Sequence, residues 1–190
     1  ITDGVDLVDF TINNGKRKQT GADIRFVAGE DGPVVTDLRL RWDKRRFDSP
    51  DPTLTDQDRL RFDGSVRMAA TRNMDIIVGL STSKTETFDT TTRTVDEIEA
   101  TVGAVTQINP ATRLELAVGS STIDVDDGAT QTSDHEITAR AAVIHDMPNG
   151  NIGVVFDRNH STAGVRNRLQ LTRDLELPSG ELGFSVGASK

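Results

Sequence analysis

The sequence contains no cysteine, so it forms neither a disulfide framework nor a thiolate metal site. Its longest uninterrupted apolar runs span only a few residues, far short of the roughly 20 that a membrane-spanning helix needs. Basic residues are outnumbered, 22 against 30 acidic ones, and the net charge of -8 disfavours a nucleic-acid partner. The first residues, Ile1–Gly4, lack a basic and then apolar signal region, which predicts a processed or trimmed chain.

Apolar and polar residues alternate along most of the chain. Because side chains i, i+2 and i+4 of a strand lie on one face, Leu38 and Leu40 share a face opposite that of Arg39 and Arg41. About eleven such segments are readable, each of about ten to thirteen residues, which is longer than the usual globular strand. That length matches the nine to eleven residues of a tilted strand that crosses a membrane.

Short turns alternate with longer polar loops between these segments. The short turns are predicted near residues 29–33, 72–73, 109–112, 147–150 and 177–180. We therefore predict an all-β fold: one up-and-down antiparallel transmembrane β-barrel over residues 1–190, with about 10 to 12 strands. Eleven strands are readable and a twelfth is expected to be missing, because bacterial barrels have even numbers; residues 1–20 are predicted as an N-terminal strand or a lead-in segment. A soluble sandwich, or a barrel with its polar side outward, remains the alternative.

The pattern of two alternating strands joined by Met147-Pro148-Asn149-Gly150 or Leu177-Pro178-Ser179-Gly180 resembles the outer-membrane β-barrels of Gram-negative bacteria over essentially the whole chain. The resemblance implies a bacterial outer-membrane location, insertion by the barrel assembly machinery, and contact with the lipid bilayer and lipopolysaccharide. Other envelope subunits are further expected partners. The chain departs from the class in its aromatic residues, with no Tyr, one Trp and seven Phe. Only Phe47 and Phe88 lie at strand ends, where membrane barrels carry a girdle of aromatic side chains. A soluble barrel therefore remains an alternative.

The polar side of the alternation carries charges of both signs interleaved with small residues, as a narrow lumen would. The lumen and selectivity candidates are Arg39, Arg41, Arg45, Arg61, Arg67, Glu97, Glu99, Glu115, Arg140, Arg166 and Arg168. We expect the arginines between residues 39 and 67 to pair across the interior with Glu97, Glu99, Glu115 and Glu136. The predicted function is a narrow porin-like channel or export pore for small or polyanionic solutes. The alternatives are a structural or interaction barrel with an occluded lumen and a soluble β-barrel binding module.

No catalytic constellation is readable, so we expect no enzyme. His135, His145 and His160 share the parity of the apolar residues of their strands, which predicts that they point away from the lumen near strand ends.

Two loops concentrate carboxylates, which are the ligands that Ca²⁺ prefers. They hold Asp48, Asp51, Asp56 and Asp58 in one case, and Asp124, Asp126, Asp127 and Asp134 in the other. Asp124, Asp126 and Asp127 are the candidate Ca²⁺ ligands, with solvated acidic loops as the alternative because the spacing does not match an EF-hand. No other cofactor is expected.

Overall fold

The structure is a computed structural model that describes residues 8–12, 15–48, 55–88, 91–177 and 180–190. All regular elements in these ranges are β-strands. They are β1 (Val8–Ile12), β2 (Gly15–Ala28), β3 (Val34–Asp48), β4 (Asp56–Thr71), β5 (Met74–Phe88), β6 (Thr92–Asn109), β7 (Thr112–Asp126), β8 (Gln131–Met147), β9 (Gly150–Ser161), β10 (Gly164–Leu177) and β11 (Gly180–Ser189). Among the described residues there is no helix long and apolar enough to cross a bilayer.

The strands lie in one sheet in the order of the chain, from β1 to β11. The registers are antiparallel, for example from Lys16 opposite Asp48 to Ala28 opposite Thr36 between β2 and β3. The prediction of an all-β, up-and-down antiparallel fold is therefore confirmed. Ten long strands, β2 to β11, follow the short β1, and within the described ranges the sheet order ends at β1 and β11 without joining them. Closure into a barrel remains a prediction.

The strands are longer than the alternation indicated. β6 has 18 residues and β8 has 17, because polar strand ends that lack alternation still pair with their neighbours. The turn predicted at 72–73 lies between Thr71 and Met74, and the centre of the turn at 177–180 lies outside the described residues. The predicted lead-in of residues 1–20 divides into β1 and the start of β2, while residues 1–7 lie outside the described ranges.

The contacts within the chain fall into two compact units. Unit 1 consists of Ile1–Ser65, Gly79–Glu99 and Thr122–His135, and unit 2 of Val66–Val78, Ala100–Ser121 and Glu136–Lys190. Each of β4, β5, β6, β7 and β8 contributes residues to both units. The organisation of residues 1–190 as a single domain stays a prediction.

Burial is reversed relative to a soluble sheet. Leu40, Val78 and Leu116, members of the apolar rows, are 43%, 46% and 49% exposed. Among the described residues only Ile123 and Ala142 are apolar and buried, whereas Ser83, Ser121, Thr138 and His160 are polar and buried. The registers of β2 with β3 and of β8 to β11 place apolar residues opposite each other, such as Leu40 and Ile24 or Leu169 and Phe156, so that in these strands the rows continue as an apolar face. The opposite face is the polar face. It carries Arg39 and Arg41 of β3 and, on the other strands, the residues that alternate with the apolar row.

The turn between β8 and β9 requires glycine at its end. Gly150 has a φ of +123°, a backbone conformation that L side chains rarely adopt. A Cβ added there would also overlap the carbonyl oxygen of Asp174, because Gly150 lies opposite Leu175 of β10. Gly164, which begins β10, has a φ of +102°, but nothing lies within 4 Å of the position its Cβ would take.

Replacing Gly150 by alanine should therefore destabilise the fold more than replacing Gly164. Left-handed strain alone costs about 1–3 kcal/mol, which is the loss we expect for Gly164→Ala. Gly150→Ala should lose more, because the backbone of β10 must also shift. Urea titration of the refolded variants measures both losses, and equal losses would show that β10 does not approach Gly150 this closely.

Candidate functional site

The polar face of β2 and β3 in unit 1 is held by diagonal ion pairs. Arg25 and Arg39 lie directly opposite each other in the register, an arrangement of like charges that is unfavourable by itself. Arg39 donates to both carboxylate oxygens of Asp23, with Nε 2.8 Å from Oδ1, and the Nε of Arg41 lies 3.6 Å from the same carboxylate. Arg25 turns the other way, with its Nε 3.0 Å from Oδ1 of Asp37. Each guanidinium thus has a carboxylate on the side away from the other.

The polar face continues onto β4, β5 and β6 within unit 1. The Nε of Arg61 lies 2.9 Å from each carboxylate oxygen of Asp63 on its own strand. Glu97 and Glu99 on β6 lie close enough for their charges to act on Arg61, and the hydroxyl of the buried Ser83 donates to Glu97 over 3.4 Å. Arg61 therefore makes its direct ion pair with Asp63, and the charges of Glu97 and Glu99 act on it only from a greater distance.

A third group lies at the loop end of β3, β4 and β5. The Nη1 of Arg46 is 2.7 Å from Oδ1 of Asp58, and its Nε is 3.5 Å from Oδ2 of Asp56. The same guanidinium lies over the ring of Phe88, 5.2 Å from its centre, where a cation–π attraction operates. The backbone N–H of Phe47 donates to Asp56 over 2.8 Å. Two carboxylates of the first predicted acidic loop, which lie at the start of β4, are therefore paired with one arginine, while Asp51 lies outside the described residues.

Unit 2 holds a chain of alternating charges across β7, β8 and β9. The Nε of Arg113 is 3.0 Å from Oε1 of Glu115, whose other oxygen is 3.7 Å from the Nε of Arg140. The Nη1 of Arg140 is 2.8 Å from Oδ1 of Asp157. A separate pair joins Arg158 to Glu136 at 3.2 Å.

The remaining lumen candidates are less constrained. The Nε of Arg45 lies 3.9 Å from Asp43, and Arg166 donates to the hydroxyl of Ser189 over 3.1 Å. Arg67 and Arg168 are exposed, and their side chains have neither an ion pair nor a hydrogen bond to other residues in the described part of the chain. The structure thus brings most of the predicted arginines onto one face but pairs them with neighbouring aspartates. The predicted pairing of the arginines between residues 39 and 67 with Glu97, Glu99, Glu115 and Glu136 stays a prediction, and the sequence pattern did not indicate the part taken by Asp23, Asp63 and Asp157.

Two histidines lie on the apolar face, each bonded to a threonine of the neighbouring strand. Nδ1 of His135 is 3.0 Å from the hydroxyl of Thr122, and Nδ1 of His145 is 2.9 Å from that of Thr112. Along β7 and along β8 the members of the two pairs are ten residues apart; the residues of the same face between them are all apolar on β8 and, apart from Ser120, on β7. The band of apolar side chains is therefore bracketed by polar pairs at both strand ends.

His160 departs from its predicted placement. It is buried, and its Nδ1 is 3.3 Å from the hydroxyl of Ser121, which is 1% exposed and belongs to the polar face of β7. The prediction that His160 points away from that face is wrong. The burial pattern of β9 changes after Asp157, where Arg158 is also half-buried and Asn159 is exposed, although the register with β10 continues unbroken and places His160 opposite Val165. Glycine permits the close approach in this region, since a Cβ at Gly119 would lie 2.7 Å from the hydroxyl oxygen of Thr138.

The carboxylates of the second acidic loop serve as turn acceptors. Asp126 accepts a hydrogen bond from the backbone N–H of Gly128 at 2.8 Å. Asp127 accepts from the backbone N–H of Ala129 at 3.0 Å and of Thr130 at 2.7 Å, and from the Thr130 hydroxyl at 3.0 Å. No group of three His, Cys, Asp or Glu side chains suited to a metal ion occurs among the described residues. The structure does not gather Asp124, Asp126 and Asp127 into one, and Ca²⁺ binding there stays a prediction.

No protein-family model matches the sequence, and no curated protein matches it significantly. The assignment of a function therefore depends on the geometry described above. That geometry defines an antiparallel all-β protein with an exposed apolar face and an ion-paired polar face.

The carboxyl group of Asp127 should titrate at a lower pH than an ordinary aspartate. Hydrogen bonds from the backbone of Thr130, the backbone of Ala129 and the Thr130 hydroxyl stabilise its charged form and lower its pKa below 3.8. A lowered folded pKa means that the loop gains stability above the unfolded pKa and loses it as the pH falls through the folded pKa. An NMR titration of the side-chain carboxyl carbon should give a midpoint below 3.8.

The matched control for this titration is Thr130→Val. It removes the hydroxyl donor but keeps both backbone donors, so it should reverse the pKa shift only in part. A wild-type midpoint at or above 3.8 would contradict the hydrogen-bonded loop.

Proposed function

We propose that this protein is a small outer-membrane β-barrel whose apolar face contacts lipid and whose polar face lines a narrow channel. The observation that carries the proposal is the exposed apolar face. A row of apolar side chains open to the surroundings on nearly every strand is unfavourable in water and favourable in a bilayer. Closure would require the edges β1 and β11 to be joined, either to each other or through a further strand.

The histidines that bracket the apolar row of β8 are spaced to match the thickness of a bilayer core. On β8 the row of Ile137, Ala139, Ala141 and Val143 lies between His135 and His145. Ten residues of strand separate the two histidines and span about 34 Å, which a tilt of about 40° reduces to a height of about 26 Å, while the apolar row itself covers about 16 Å of that height. Transmembrane barrels carry an outward apolar band of about 25 Å. The bracketing histidines would then lie at the level of the headgroups, where polar side chains remain hydrated.

The turn end of β10 supports the same boundary. Arg173 lies opposite Ile152 and Phe184, so it belongs to the apolar row. Its guanidinium reaches past the row to Asn149 in the β8–β9 turn, 3.1 Å from the Oδ1 atom, and to the sulfur of Met147 at 3.5 Å. A long basic side chain that directs its charge to the edge of an apolar band is typical of a membrane interface.

A charge placed in the middle of the apolar face should disrupt folding only in a lipid environment. Leu169 is 54% exposed and lies opposite Phe156, which in turn lies opposite Ala141. Arginine at the midplane of a barrel costs about 2–4 kcal/mol, so we expect that loss for Leu169→Arg refolded into phospholipid vesicles. Urea titration, with the heat-dependent gel migration of the folded form as a second readout, measures it.

The control variant is Ala129→Arg in the exposed loop, for which we expect a change within about 0.5 kcal/mol. If the Leu169 variant is folded and monomeric in plain buffer with wild-type stability, the apolar face meets water and the soluble binding module replaces the membrane proposal.

A structural barrel with an occluded lumen is the second candidate, and the density of ion pairs favours it. Arg39 and Arg41 share Asp23, and Arg61 holds Asp63, so many charges that would attract solutes are already neutralised within the face. Such networks fix side chains in place and can fill a narrow interior.

Conductance measurements on the wild-type protein and on its Asp23→Asn variant separate the open channel from the occluded barrel. The substitution removes the negative charge that Arg39 and Arg41 share. The polar face then becomes more positive, so an open channel should become more selective for anions. The measurement is the reversal potential of the reconstituted protein in a planar bilayer under a salt gradient. Asp127→Asn removes the same charge from a loop and should shift the potential less. Absence of current from folded, inserted wild-type protein would reject the channel and favour the occluded barrel.

A further inference from the structure

A cavity of about 530 Å³ lies on unit 2 near the turn between β4 and β5. Its lining residues come from β4 to β7 and that turn, and all of them belong to unit 2. The volume is that of sites which hold small organic molecules, and much larger than one ion requires.

Three guanidinium groups line this cavity: those of Arg67, Arg72 and Arg113. Arg67 and Arg72 are exposed, and their side chains form neither ion pairs nor hydrogen bonds with the part of the chain that the structure describes. Only two lining carboxylates oppose them, and one, Glu115, is already placed between Arg113 and Arg140. The cavity therefore has an excess of positive charge in a chain whose net charge is -8.

The other lining groups add hydrogen-bonding capacity and an apolar wall. The side chains of Asn73 and Gln107 border the cavity, and Val105 contributes apolar surface. The backbone N–H of Gln107 donates to the carbonyl oxygen of Asn73 over 2.8 Å, which fixes the turn that carries Arg72 against β6. The arginine of the turn is thus presented from an anchored segment.

We propose that this cavity binds a small organic anion that carries at least two phosphate or carboxylate charges. Guanidinium groups donate pairs of parallel hydrogen bonds to both kinds of oxyanion, and unpaired ones are ready to do so without breaking an existing ion pair. The cavity lies on the polar face that the proposed channel would expose to its lumen, but the inference goes beyond that proposal because binding here requires no open pathway for ions.

Isothermal titration of the refolded protein with pyrophosphate, and separately with citrate, tests the site. We expect saturable one-to-one binding of at least one of the two, and the tighter ligand identifies phosphate or carboxylate chemistry. Arg72→Gln should weaken that binding about tenfold, since it removes a charge-assisted hydrogen bond. Arg72 is an exposed turn residue without a partner in the described ranges, so this variant should fold normally.

Arg93→Gln is the matched control, because it removes the same charge from an exposed position outside the cavity. It should leave the affinity unchanged, and Arg67→Gln should reproduce the effect of Arg72→Gln. No saturable binding of either anion, or an equal loss in the Arg72 and Arg93 variants, would overturn the inference. Because the titration is made on protein refolded into detergent micelles and measures no ion flow, its failure leaves the conductance and the membrane experiments unaffected.

Discussion

The pairing of charge within one face is the constraint on which this fold depends. A period-two sequence sends every second side chain to the same face, and here that face receives arginines and carboxylates from successive strands. Arg25 opposes Arg39 in the register, a like-charge pair that is unfavourable by itself, and the carboxylates of Asp37 and Asp23 on the diagonals offset that repulsion. The same requirement acts on Arg140 between Glu115 and Asp157. The apolar face imposes no such condition and is left exposed.

The assignment of residues to faces was predictable because it depends on local backbone geometry alone. Leu40 and Arg41 lie on the faces that alternation indicated, and the all-β, up-and-down order followed from the spacing of turns. The extent of the strands was less predictable. The first residues of β6 and β8 are polar without interruption, so hydrophobic patterning ends before hydrogen bonding does.

Partner choice could not be read from the sequence. A shift of register by two residues keeps every side chain on its face but changes its neighbour, so parity alone could not select Asp23 for Arg39. His160 shows a second limit. It is buried against Ser121 at the end of β9, where two successive residues, Asp157 and Arg158, are half-buried, and the parity of a residue along the chain does not predict such a local change in burial. The cavity at Arg67 and Arg72 was missed because it depends on which charges remain unpaired once the register is set.

The sheet order also bears on assembly. β11 pairs with β10 along its ten residues, and in the described ranges its other side is the end of the sheet. In hydrocarbon each unsatisfied peptide group costs several kcal/mol, so a bare row of amides and carbonyls on this strand could not be exposed to lipid. If the protein enters a bilayer, a neighbouring strand must cover that row during entry and not afterwards. Insertion and completion of the sheet would then be one cooperative event, with β11 as the seam.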